Sequence, residues 1–162
     1  MSNTTSQPNP SSKKPPTVTK VFQLVYASSA VNKFTDDQIV ELLKKAREKN
    51  KRLNITGLLL YKDGNFMQAL EGPEEAVRDL FSTIRQDDRH KGVIVLTSGK
   101  VEAREFKEWE MGFANVARIS KEKNLEGVSE FLQEGFSSES FQNDRSRVQT
   151  FLKVFRDVVA GG

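Results

Sequence analysis

Hydrophobic and polar residues along the chain repeat with two periods, one typical of strands and one typical of helices. Short apolar runs rich in β-branched and aromatic residues predict five strands, at residues 21–27, 55–61, 65–71, 92–99 and 106–116. Helical spacing predicts two helices between them, with buried stripes of Ile39, Leu42, Leu43 and Ala46, and of Val77, Leu80, Phe81 and Ile84. The order β-α-β-β-α-β-β predicts an α+β, ferredoxin-like sheet with a fifth strand and two helices on one face.

Local signals set the ends of these elements. Thr35 followed by Gln38 forms a capping box at the start of the first helix. The turn Lys62-Asp63-Gly64 joins the second and third strands as a hairpin. Gly72-Pro73 begins the second helix, with Pro73 predicted at the first helical position.

Composition divides the chain into three parts. Residues 1–17 are rich in Ser, Thr, Asn and Pro and predict a disordered tail, ahead of a globular unit at 18–118. Residues 119–162 form a predicted helical extension that packs on the open face of the sheet. Its helical patterns are a short one with Val128, Phe131 and Leu132, and a longer one with Val148, Phe151, Leu152, Phe155 and Val159.

The overall composition excludes several functional classes. Cysteine is absent and His90 is the single histidine, which argues against thiol chemistry, a metal site and a Ser-His-Asp triad. Lys and Arg number 25 against 22 Asp and Glu, so no large basic field predicts nucleic-acid binding. No apolar run reaches the ~18 residues of a membrane span, and residues 1–17 lack the apolar stretch of a secretory signal. We expect a cytoplasmic protein.

Three polar residues stand in phase with apolar neighbours. Tyr26 follows Phe22 and Leu24, Gln68 lies between Phe66 and Leu70, and Asn50 continues the stripe of the first helix. An unsatisfied buried amide costs about 1–3 kcal/mol, so Gln68 requires a partner. The first and third strands are neighbours in the predicted sheet, so Tyr26 and Gln68 could satisfy one another and a planar heteroaromatic guest.

Each of these residues also has an ordinary interpretation when it is taken singly. Tyr26 could be a half-buried strand tyrosine, Gln68 an interface amide and Asn50 a residue at a helix end. The remaining candidates could be core residues or a solvated loop pair. The charged run at residues 44–52 is typical of the solvent side of a helix end.

The linked motifs resemble those of the BLUF family of blue-light sensors using FAD, over residues 20–117. The resemblance rests on NKRLNITGLLLYKDGNFMQALEG at 50–72, together with LVYAS upstream and DDRH and WEM downstream. It implies that Tyr26 is the photoactive tyrosine, Gln68 the switching glutamine and Asn50 the ligand of the flavin carbonyl and imide edge. It implies further roles for three groups: Leu42 and Ile84 sandwiching the ring; Asp87, Arg89 and His90 near the flavin, its ribityl chain and phosphates; and Trp109 and Met111 in signalling.

The resemblance also implies a mechanism. Light drives an electron and a proton from Tyr26, Gln68 is left rotated or tautomerised, and the change passes through Trp109 and Met111 to the C-terminal helices. Alternation places Trp109, Met111 and Phe113 on one side of the last strand. The family implies FAD, while the residues alone leave FMN and riboflavin open.

The output and two alternative functions follow from the same reasoning. We expect a sensor, not an enzyme, that signals to a partner protein in trans and forms a homo-oligomer through its apolar helices. One alternative is a ferredoxin-like hydrolase of the acylphosphatase type, which needs an Asn and an Arg near the first turn, where the loop holds only Asn32. The other is a light-insensitive interaction module that has lost its flavin.

Overall fold

The computed structural model describes residues 21–107, 109–116 and 144–161. Over these residues the elements follow the predicted order, with one further helix near the C-terminus. The elements are β1 (Val21–Ala30), α1 (Asp36–Leu53), β2 (Thr56–Lys62), β3 (Asn65–Gly72), α2 (Glu74–Arg85), β4 (His90–Val101), β5 (Gly112–Asn115) and α3 (Arg145–Gly161).

The strands form one mixed sheet in the order β4-β1-β3-β2-β5. Neighbouring strands are antiparallel, except that β5 joins the edge of β2 in parallel. The antiparallel register of the central pair places Tyr26 of β1 directly opposite Gln68 of β3. The predicted α+β ferredoxin-like fold with a fifth strand is therefore confirmed, together with the adjacency of these two residues.

The sheet buries a hydrophobic core on each face. One core joins the sheet to α1 and α2 and includes Phe22, Leu24, Ile39, Leu43, Leu70, Val77, Leu80 and Phe81. The other joins the sheet to α3 and includes Val25, Ala27, Leu58, Met67, Ala69, Val148, Phe151, Leu152 and Phe155. Strand alternation produces the division, because successive side chains point to opposite faces. The predicted packing of the longer C-terminal helix on the open face is confirmed for α3.

Two of the predicted segments lie outside the described residues. These are the N-terminal tail at 1–17 and the short helical pattern of Val128, Phe131 and Leu132.

The predicted end signals mostly act as expected. Thr35 caps α1, since its hydroxyl accepts from the Gln38 amide while the Gln38 side chain accepts from the Thr35 amide. Asp63 and Gly64 form the hairpin turn with φ of 49° and 89°, the left-handed region that such a two-residue turn requires. The prediction for Pro73 is wrong by one position, because Pro73 has an extended ψ of 135° and precedes the helix as its N-cap.

The predicted common side for Trp109, Met111 and Phe113 is wrong for Trp109. Its side chain packs against the α3-side core, whereas Met111 and Phe113 belong to the core beneath α1 and α2. The strand begins only at Gly112, so the alternation of an extended strand does not apply to residues 109–111. The chain therefore crosses from one face of the sheet to the other just before β5.

The Thr35 cap is expected to contribute measurably to stability, because α1 forms one wall of the site described below. Thr35→Ala removes the acceptor for the Gln38 amide and should lower the free energy of unfolding by about 1 kcal/mol, measured by urea denaturation. Thr35→Ser keeps a hydroxyl and serves as the matched control. Equal stability of the two variants would contradict a capping role.

Candidate functional site

A cavity of about 870 Å³ lies between α1 and α2 against the sheet. Its size falls within the range of small-molecule and cofactor sites. Nine of the ten predicted site residues line it, namely Tyr26, Leu42, Asn50, Gln68, Ile84, Asp87, Arg89, His90 and Met111. The tenth, Trp109, lies on the other side of the sheet, so it does not share this cavity.

The floor of the cavity holds a chain of three hydrogen-bonded side chains. The Tyr26 hydroxyl donates to Gln68 Oε1 at 2.6 Å, and Gln68 Nε2 donates to Met111 Sδ at 3.3 Å. Tyr26 and Gln68 are 4% and 7% exposed. The amide is thus oriented, with its carbonyl towards the phenol and its NH₂ group towards a thioether, a weak acceptor. Gln68 obtains a strong partner on one side only.

Tyr26 is held in its neutral form. Burial raises the pKa of its hydroxyl well above the ordinary value, and the negative charge of Asp87 raises it further. The Tyr26 ring contacts that of Phe81 at 5.3 Å and meets the edge of His90 at 6.3 Å between centroids. The phenol is therefore fixed in position and keeps a proton that it donates to Gln68.

Two residues of α1 hold the chain immediately before β5. Asn50, which is 2% exposed, donates from Nδ2 to the Glu110 carbonyl at 2.7 Å. Arg47, one turn earlier, donates from Nε to the Met111 carbonyl at 2.9 Å. The interpretation of residues 44–52 as a solvent-facing run missed the contact of Arg47 with the chain before β5. Arg47 and Asn50 are three residues apart, a spacing that places both on one side of the helix. Together they place the Met111 side chain against Gln68.

Gly57 provides the space that this arrangement needs. Its amide donates to the Trp109 carbonyl at 2.9 Å, and a Cβ at this position would lie 2.0 Å from the Ala69 oxygen and 3.1 Å from Met111 Cε. Any side chain would force the backbones of β2 and β3 apart. The glycine of the ITG sequence thus allows Met111 to lie close to the sheet.

Asp87 and Arg89 form an ion pair at the rim. The Arg89 guanidinium donates to both carboxylate oxygens of Asp87, with distances of 2.9 and 3.1 Å from Nε and 2.5 Å from Nη2. The hydrogen bonds from Arg89 lower the pKa of Asp87 to about 2, and those to Asp87 raise the pKa of Arg89. The rim therefore carries a fixed negative charge that faces Tyr26 and a cation already engaged with it.

His90 is bound within the protein through both ring nitrogens. Nε2 lies 2.6 Å from the Ile84 carbonyl, which only accepts, so Nε2 carries a proton. Nδ1 lies 2.8 Å from the hydroxyl of Ser28, a 3% exposed residue that the sequence did not single out. A direct contact between His90 and the ribityl or phosphate part of a cofactor stays a prediction. In the structure its ring joins α2 to β1 beside Tyr26.

The lining of the cavity suits a flat heteroaromatic ring with an anionic tail. Leu42 of α1 and Ile84 of α2 are half-buried and supply aliphatic surface, while the Asn50 and Gln68 amides supply polar groups at the floor. The charged residues of the lining are Lys33, Lys45, Lys49 and Arg89, together with Glu41, Asp87 and Asp88. Aliphatic walls fit the faces of a flavin, amides fit its carbonyl and imide edge, and the small excess of cations suits phosphates, so the residues fit a flavin nucleotide such as FAD.

The family model for BLUF, described as sensors of blue-light using FAD, matches residues 21–112. This chain belongs to the BLUF family. Within that family, a photoactivated adenylate cyclase subunit beta of Euglena longa is 33% identical to this BLUF chain over 116 residues, 71% of the chain and 14% of the relative. The blue light- and temperature-regulated antirepressor BluF of Escherichia coli K12 is 35% identical over 83 residues, 51% of the chain and 21% of the relative.

The solved structures include close likenesses to this BLUF chain. The dark-state structure of BlrB, a BLUF protein, superposes with a TM-score of 0.66 at 26% identity and covers 90% of this chain and 99% of that one. By contrast, the chain spans only 14% and 21% of the two curated relatives named above. The comparisons thus identify a flavin-using photosensor, while the activities of those larger proteins belong to them.

The burial of Tyr26 predicts that its hydroxyl resists ionisation. At about pH 10, where a free tyrosine is half ionised, the folded wild type and Tyr26→Phe should show equal phenolate absorbance, because Tyr26 stays protonated. In denaturant the wild type should show more phenolate absorbance than the variant, because Tyr26 then ionises. The measurement is an ultraviolet pH titration of the wild type and the variant. A phenolate signal from Tyr26 at that pH in the folded protein would show that the hydroxyl is solvated.

Proposed function

We propose that this chain is a blue-light photoreceptor that binds FAD noncovalently between α1 and α2 and converts light into a rearrangement of the Gln68 amide. The observation that carries the proposal is the hydrogen-bonded chain of Tyr26, Gln68 and Met111 along the cavity floor. This hydrogen-bonded chain joins the proton donor Tyr26, the side-chain amide of Gln68, which can rotate, and Met111, which precedes β5.

In this proposal each group of lining residues has one task. Leu42 and Ile84 hold the two faces of the flavin ring, while Asn50 and Gln68 bind its polar edge. Asp87, Arg89 and His90 lie towards the ribityl and phosphate part. When bound, FAD supplies absorption of blue light and accepts the electron that Tyr26 loses.

Tyr26 and Gln68 carry the switching step. Loss of an electron makes the Tyr26 hydroxyl strongly acidic, so its proton passes to Gln68 along the 2.6 Å hydrogen bond. Electron and proton then return to Tyr26, and the amide is left rotated by about half a turn. Rotation directs Nε2 to the Tyr26 oxygen and Oε1 to Met111 Sδ. The donor that holds the thioether is then lost, while the bond to Tyr26 survives with its direction reversed.

The loss of that contact is the output of the site. The Met111 carbonyl accepts from Arg47, and its buried sulfur accepts from Gln68, so loss of the second hydrogen bond leaves the side chain with packing contacts through which it can shift. We propose that the movement changes the packing of the segment that carries Trp109 and reaches the C-terminal helices, α3 among them. Such a local change acting on an element with two arrangements is the general design of a switch.

We propose that the chain turns over no substrate and acts on a partner protein in trans, as a homo-oligomer in the cytoplasm. In this proposal residues 18–118 form the photosensor domain, and residues 119–162 form a C-terminal extension that contacts the partner. Relatives named as a photoactivated cyclase subunit and as a light-regulated antirepressor support an output through an effector. Among the helices described, none is long and apolar enough to cross a bilayer.

The absorption spectrum tests the proposal. The purified chain should be yellow and its flavin bands should shift reversibly to longer wavelength under blue light. Gln68→Leu and Tyr26→Phe should retain flavin and lose the normal shift, because each removes one half of the hydrogen-bonded pair.

Matched controls separate these roles from general damage. Gln86→Leu removes an exposed amide just after α2. Tyr61→Phe removes a buried phenol that accepts from the Phe34 amide but does not itself line the cavity. Both should retain the full shift. A colourless hydrolase or a colourless inert protein would support one of the two alternative functions, and an unaltered photocycle in Gln68→Leu would contradict the assigned switch.

A further inference from the structure

A second buried polar group lies on β3, on the face opposite to Gln68. The carboxylate of Glu71 is fully buried and accepts hydrogen bonds from Gln23 Nε2 at 2.9 Å and from the backbone amides of Glu105, at 3.0 and 2.9 Å, and Phe106, at 2.9 Å. All of these partners are donors, which matches an ionised carboxylate. Burial raises the pKa of Glu71 above its ordinary value, and the hydrogen bonds from these partners oppose that rise, so the ionised form depends on keeping them in place.

The partners of Glu71 include the chain that leads to Met111. Residues 105–107 and 109–111, here called the connecting segment, are bound to Glu71 at one end and to Gln68 through Met111 Sδ at the other. Glu71 and Gln68 are three residues apart on one strand, a span of about 10 Å. A single short piece of β3 therefore holds both ends of the segment, one on each face of the sheet.

The same network reaches α3 at two points. Gln149 Nε2 donates to Gln23 Oε1 at 2.6 Å, and Gln23 in turn donates to Glu71. The Arg156 guanidinium pairs with the side chain of Glu105, whose backbone amide is bound by Glu71. Both contacts thus connect α3 to the Glu71 carboxylate through one intermediate residue, Gln23 in the first case and Glu105 in the second.

We propose that Glu71 is a positioning residue that couples the Gln68 switch to α3. It anchors the connecting segment at residues 105 and 106, so displacement at Met111 is passed to Glu105 and Arg156 instead of being absorbed by a loose loop. The inference rests on the proposed function, since it requires a light-driven change at Gln68. It adds a route across the sheet that uses none of the residues lining the cavity except Gln68 and Met111.

The proposal requires Glu71 as an anchor, because movement at one end of the connecting segment reaches α3 only if the segment is fixed near its other end. Glu71 accepts from two backbone amides, at residues 105 and 106, whereas residues 109 and 110 are each bound by a single hydrogen bond, from Gly57 and Asn50. Glu71 is thus the fixed point about which the rest of the segment shifts. Without Glu71, two backbone amides beneath α3 lose their acceptor, and movement at Met111 would spread into residues 105–107. The light signal would then end on the α1 side of the sheet.

Hydrogen–deuterium exchange of the full flavin-bound chain tests the coupling. Backbone amides of residues 145–157 should exchange at different rates in the dark and under blue light in the wild type. Glu71→Gln replaces one accepting oxygen by an NH₂ group that faces other donors, so the connecting segment loses its anchor. The variant should keep the red shift, because the cavity is unchanged, and should lose this light-minus-dark difference. Glu75→Gln, an exposed carboxylate on α2, is the matched control and should keep both.

The light-minus-dark difference distinguishes coupling from a purely structural role. A structural defect would raise the exchange of residues 145–157 already in the dark, whereas loss of coupling leaves the dark-state rates at the wild-type level and removes only their response to light. Full retention of the difference in Glu71→Gln would overturn the inference. So would a wild type with a normal red shift and no light-dependent exchange in α3, a result that leaves the proposed photoreceptor function standing. A wild type without any red shift would instead contradict that function.

A second variant addresses the case in which Glu71→Gln does not fold. Arg156→Gln removes the pair with the Glu105 side chain together with the pair to the exposed Asp157 on α3 itself, and the Arg156 side chain is 30% exposed. The variant should keep the red shift and reduce the light-minus-dark difference of α3 by at least about twofold. An undiminished difference would show that α3 responds without this network.

Discussion

The hydrogen bond between the Tyr26 hydroxyl and the Gln68 amide is the interaction on which the rest of the structure depends. It exists because an antiparallel register places one residue of β1 opposite one residue of β3, with both side chains facing α1 and α2. It leaves the amide with a strong partner on one side and a weak thioether on the other. In the proposed switch this asymmetry favours a second orientation of the amide, because rotation gives up only the weak contact with the thioether.

The two faces of the sheet have different tasks. The face beneath α1 and α2 provides the cavity and the Tyr26–Gln68 hydrogen bond, while the face beneath α3 is packed with aromatic and aliphatic side chains. The chain before β5 joins these faces, with Trp109 on one and Met111 on the other. In the proposed function, a signal that starts at the cofactor crosses the sheet at this point without any rearrangement of the strands. Polar contacts through Glu71 give that crossing a fixed point.

Sequence reasoning predicted the parts of the site that depend on local periodicity and strand order. Alternation placed Tyr26 and Gln68 on one face, and the split βαβ order placed their strands side by side. The side of Trp109 was wrong because alternation holds only inside a continuous strand. Arg47 escaped notice because its partner is a backbone carbonyl 64 residues away. Gln23 and Glu71 did carry a signal, since each is polar and in phase with buried apolar residues on the α3 face.

A crystal structure of the FAD-bound chain in the dark tests the central claim most directly. The Tyr26 oxygen is expected within about 3 Å of the Gln68 amide, and the flavin ring between Leu42 and Ile84 with its polar edge towards Asn50 and Gln68. A structure in which Tyr26 and Gln68 are separated, or in which side chains fill the space between α1 and α2 and the flavin lies elsewhere, would contradict it.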